Sequence, residues 1–131
     1  MSVPIVLEHV DGEAVAPELP PLLAAVYAEV QREPAALPAL HSALRRLLLY
    51  LASPPGRTNA NCWAADLFFM HNDRWERDWE HLPEGYQDLL GYLGSALHDT
   101  VSHPDVAANF ANTPEQLLAR LDRLAAGARP V

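Results

Sequence analysis

"LPALHSALRRLLLYLA", residues 37–52, decides the fold class. Leu37, Leu40, Leu44, Leu47, Leu48 and Leu51 recur at spacings of three and four, the period of one face of an α-helix. A stripe this apolar has to be covered by other elements, so the segments on either side set the architecture.

Upstream, Leu22, Val26 and Val30, supported by Leu23 and Tyr27, repeat the helical period from Pro20 to about Arg32, and Pro34 ends that helix. Before it, "IVLEHVDGEAVAP" sets β-branched residues on both sides of Asp11-Gly12, a pair suited to a tight hairpin turn. An isolated two-stranded ribbon is marginal in water, so such a hairpin must dock on helices, pair with another copy or stay free. Downstream, "SPPGRTN" closes the leucine helix. "NANCWAADLFFMH" then predicts a third helix with Asn59 or Asn61 as its N-cap and Trp63, Leu67 and Met70 on one side, next to Ala64 and Phe68.

From Pro83, the residues Tyr86, Leu89, Leu90, Leu93, Leu97 and Val101 predict a long central helix. Its other face carries Gly91, Gly94, Ser95, His98 and Ser102, a pattern that favours tight packing through close approach of another backbone, or a groove. "SHPDVAANFAN" predicts a short further helix. In "TPEQLLARLDRLAAG", Thr113 and Gln116 have capping-box spacing ahead of Leu117, Leu118, Leu121 and Leu124, with Gly127 as the stop. The expectation is an all-α, single-domain bundle of five to six helices over residues 1–131. Residues 1–16 form an extended arm or short β-hairpin, and residues 17–127 form the bundle.

Composition narrows the function. All nine basic residues are arginine and the formal charge is -8, so lysine-based covalent chemistry is excluded. Nucleic acid is a poor partner for so acidic a chain unless Arg45, Arg46, Arg120, Arg123 and Arg129 converge. Cys62 is the only cysteine and reads as a small buried hydrophobe; no disulfide or cysteine metal knuckle is available. The first residues carry no basic segment ahead of an apolar run, and "RRLLLYLA" is too short to span a bilayer. The expected setting is soluble and cytoplasmic, with no membrane partner.

"HNDRWERDWEHLPEGY", residues 71–86, is the most concentrated chemistry in the chain. As a helix it would align Trp75, Trp79 and Leu82 and pair Asp73 with Arg77 and Arg74 with Asp78. As a strand it would align Trp75, Arg77, Trp79 and His81. The residues serve either as a core rim or as a recognition surface of Trp75, Arg77, Trp79 and Arg74, with Trp63 and Asp66 next to it. Asp66, set among apolar neighbours, is expected to pair with an arginine at the edge of the core or to act as a perturbed acid or base.

A second constellation, "ALHDTVSHPD", offers His98, Asp99 and His103 as metal ligands, with a further donor from His71, His81, His41 or a distant carboxylate. Pro104 weakens the geometry by pushing His103 out of helical conformation. Adjacent His98-Asp99, with a histidine upstream and Asp122 downstream, resembles the ligand order of HD-type metal phosphohydrolases, though the chain is short for that fold. No G-x-S-x-G elbow and no phosphate loop is present. The leading expectation is a small non-enzymatic protein that acts through contact with a protein partner or with itself as a homodimer, and needs no cofactor. The alternatives are a divalent-metal hydrolase at His98, Asp99 and His103, and small-molecule binding between helices beside Trp63, Phe68, Trp75 and Trp79.

Overall fold

The structure is a computed structural model that describes residues 9–10, 12–71, 80–102 and 113–127. Among these residues it is an all-α bundle of five helices: α1 (Leu19–Gln31), α2 (Leu37–Ala52), α3 (Asn59–His71), α4 (Glu84–Ser102) and α5 (Pro114–Gly127). A 3-10 turn, Pro54–Gly56, follows α2, and two short strands, β1 (His9–Val10) and β2 (Glu13–Ala14), precede α1. The expected short helix between α4 and α5 and most of the tryptophan segment lie outside the described residues. Residues 80–82, at the end of that segment, form a turn rather than a continuing helix.

The leucine helix that opened the argument forms as expected, and α2 packs against α1 on one side and α5 on the other. Leu40, Leu44, Leu47 and Leu48 are fully buried, so each contributes roughly 1.5–3 kcal/mol of burial against the entropy of ordering the chain. α3 packs on α4, which also meets α5, so α5 sits against both α2 and α4. The α5 entry is the expected capping box: the Thr113 amide donates to Gln116 Oε1 at 2.8 Å, and the Gln116 amide donates to Thr113 Oγ1 at 3.3 Å.

α3 departs from the expectation in two ways. Its cap is Thr58, whose Oγ1 accepts from the Asn61 backbone amide at 3.2 Å, so that Asn61 lies inside the first turn instead of capping it. Its core face is Ala60, Ala64 and Phe68 with Asn61 and Ala65, whereas Trp63 and Leu67 are only half-buried. The alanines give α3 a low-profile face, and Phe68 fills the space beyond it with edge-on contacts to Tyr27 and Phe69, both at 5.9 Å between ring centroids.

Asn61 is fully buried and serves as a junction. Its Oδ1 accepts from the Ala16 amide at 2.9 Å, and its side-chain amide donates to the carbonyls of Pro55 (3.2 Å) and Gly56 (3.4 Å). The approach to α1 and the 3-10 turn are thereby tied to the first turn of α3. The hairpin ahead of Ala16 pairs His9 with Ala14 and Val10 with Glu13, leaving two residues between the strands, with Gly12 at φ +80°. It docks on α3 through β1.

Gly56 is required for a different reason. A Cβ built there would overlap the Tyr50 carbonyl at the end of α2, and backbone has little room to yield. Gly91 and Gly94 behave oppositely: no described atom lies within 4 Å of a Cβ built at either, so the expected close backbone approach at this stripe is absent among the described residues.

Asn61→Ala should strip a partner from three backbone groups, one of them in a fully buried hydrogen bond, and destabilise the fold by about 2 kcal/mol, read from urea unfolding. Gly56→Ala should cost about 1–3 kcal/mol through overpacking, whereas Gly91→Ala should be neutral or stabilising by up to about 1 kcal/mol. Equal effects of the two glycine substitutions would contradict this packing.

Candidate binding cleft

α4 presents Gly85, Asp88, Leu89 and Tyr92 at helical spacing, and α5 answers with Arg120, Arg123 and Leu124. These seven residues line an open cleft of about 260 Å³ between the two helices. Gly85 lets the chains approach at one end, because a Cβ there would collide with the Leu124 side chain. Leu89 is buried and makes an apolar floor, while Asp88, Tyr92 and Arg123 are exposed. α5 divides its polar residues between its neighbours: Asp122 turns to α2, 3.9 Å from both His41 Nε2 and Arg45 Nε, while Arg120 and Arg123 turn to α4.

The Arg120 guanidinium carbon lies 4.5 Å from the centroid of the Tyr92 ring. This cation–π contact holds a guanidinium over the ring of a tyrosine that is 40% exposed. Among the described residues, no carboxylate reaches salt-bridge distance of Arg120 or Arg123. Of the other described arginines, Arg32 pairs with Glu29, Arg45 with Asp122 and Arg57 with Glu115, while the exposed Arg46 of α2 has no acidic partner among the described residues. The cleft therefore concentrates two cations that no described carboxylate neutralises, with Asp88 as the one carboxylate among the described lining residues.

The residues singled out in the sequence fall elsewhere. Trp75, Arg77, Trp79 and Arg74 lie outside the described residues, as do His103 and the side chain of Asp99. Trp63 is half-buried on α3. Phe68 is packed in the core, edge-on to Tyr27 and Phe69. Asp66 is 2% exposed, and His98 of α4 lies beside it. His98 Nδ1 stands 3.7 Å from Asp66 Oδ1, and about half of the imidazole side chain is exposed to solvent.

Among the described residues, no group of three or more His, Cys, Asp or Glu side chains is arranged to hold a metal. Asp122, the downstream member of the HD-like order, is engaged with His41 and Arg45 instead. Cys62 is half-buried, and burial pushes its thiol pKa up against the opposing influence of Arg57, which disfavours the reactive thiolate.

Sequence reasoning missed the cleft because its two walls are separated by some thirty residues. Its signal was only that Tyr92, Arg120 and Arg123 fall off the leucine stripes of their helices. A double-mutant cycle between Tyr92→Leu and Arg120→Gln should give a coupling of about 0.5–1 kcal/mol in urea unfolding, and no coupling would mean that the stack is not formed in solution. No protein-family model matches the chain, and neither a curated protein nor a solved structure matches it significantly.

Proposed function

We propose that this protein acts by contact with another protein rather than by catalysis, and that the α4–α5 cleft is part of the contact surface. The observation that carries this reading is the pair of guanidiniums that no described carboxylate neutralises, one of them over the ring of an exposed tyrosine, on a chain of net negative charge. Arginine and tyrosine are enriched at interface hot spots because each offers a large, flat, amphipathic contact surface. The opening of about 260 Å³ falls below the roughly 300–1,000 Å³ usual for small-molecule pockets, which favours a side chain presented by a partner over a free ligand. The Trp75, Arg77 and Trp79 segment is proposed as a second part of the same contact function, on its composition alone.

The test is photo-crosslinking from a benzoylphenylalanine placed at Tyr92, with the exposed α2 position Leu49 as the control. The expected result is an adduct of one discrete mass from position 92, lost when Arg120 and Arg123 are both changed to glutamine. An adduct of twice the chain mass would identify the partner as a second copy. No adduct, or the same adducts from position 49, would overturn the reading.

One observation favours a second reading, a divalent-metal hydrolase around His98, Asp99 and His103. A buried carboxylate, Asp66, stands behind a solvent-facing imidazole, the relation by which second-shell carboxylates orient metal-binding histidines. Thermal melts with zinc, manganese, magnesium and nickel separate the two. A metal that binds only the folded state must raise Tm by mass action. A rise of several degrees that disappears in His98→Ala would install the hydrolase reading, whereas the contact reading expects no such rise.

A further inference from the structure

We infer that the α4–α5 cleft receives a carboxylate side chain from an acidic segment of the partner protein; this rests on the contact reading above. The lining places two guanidiniums on α5, three residues apart and therefore on one helix face, opposite Tyr92 and above an apolar floor of Leu89 and Leu124. A guanidinium presents several N–H donors in a planar fork that matches a carboxylate, and the contact with the Tyr92 ring anchors one of the two guanidiniums before any ligand arrives. Neither fork is satisfied by a described carboxylate of the chain itself. The floor suits the methylene stem of a glutamate, and the small volume suits one side chain rather than a folded cofactor.

Asp88 lends the site a directional property. It lines the same cleft, so the lining carries two positive groups against one negative, and Asp88 opposes any incoming acid. Removing its charge should tighten binding, the opposite of what loss of a ligand-holding residue does. The remote exposed Glu13 serves as a charge-matched control, because Glu13→Gln changes the net charge by the same amount away from the cleft.

The test is an NMR titration of the full chain with a short capped peptide of alternating glutamate and leucine, and with its glutamine counterpart. The readouts are the Tyr92 ring and the Arg120 and Arg123 Nε–H resonances. The expected result is saturable shifts with the glutamate peptide alone. Affinity should fall about tenfold in Arg123→Gln and in Arg120→Gln, which remove charge-assisted hydrogen bonds. It should fall less in Arg120→Lys, rise in Asp88→Asn and hold in Glu13→Gln. Arg120→Lys keeps the charge and guards against an effect of misfolding.

Equal shifts from both peptides, or none from either, would overturn the carboxylate assignment. Free acetate binding as tightly as the peptide would replace the partner segment with a small ligand. Stronger binding of inorganic phosphate or of a single-stranded oligonucleotide would replace it with phosphate chemistry. A Tyr92 crosslink together with a silent glutamate titration would reject this inference alone and leave the contact reading in place. A positive titration with no crosslink would reject the contact reading.

Discussion

The arrangement of α3 depends on one buried side chain. Asn61 cannot sit inside the bundle unless its amide is fully engaged, and the groups that engage it come from the approach to α1 and from the 3-10 turn after α2. That requirement fixes the rotation of α3 about its axis and turns Ala60, Ala64 and Ala65 inward. Trp63 is correspondingly left at the margin. Because α4 packs on α3, and α5 on α4, the polar junction at one end of the bundle helps to set the position of the cleft at the other.

The two ends follow different physical rules. At the Asn61 end the buried side-chain amide is matched at both its oxygen and its nitrogen, as low-dielectric surroundings demand. At the cleft the guanidiniums of Arg120 and Arg123 stand at the edge of water, where leaving them unpaired costs little. A pair of cations there contributes little to folding and remains available to a ligand. The same division runs along α5 itself, whose Asp122 is used to meet α2 while its arginines are left over.

The helices were legible because their signals are local. The leucine spacing of residues 37–52, the prolines at the start of α1 and the Thr113 and Gln116 pair each act within a turn or two, and each appears where the spacing put it. α3 was harder, since a tryptophan and a leucine outrank alanine on any hydrophobic scale. Packing preferred the smaller face because it allows closer approach and because Asn61 needs its partners. The candidate site was the least legible part. Asp66 and His98 were both noticed, but their juxtaposition depends on how α3 meets α4, just as Tyr92 over Arg120 depends on how α4 meets α5. Neither relation is encoded in any single stretch.

The central claim is that a partner covers the α4–α5 cleft, and arginine footprinting tests it most directly. Phenylglyoxal modifies accessible guanidiniums, and the exposed Arg46 of α2 supplies an internal reference away from the cleft. In the purified protein Arg120, Arg123 and Arg46 should all react. In intact cells that make the protein naturally, Arg120 and Arg123 should be protected while Arg46 is not. Equal modification of all three in the cell would contradict the claim.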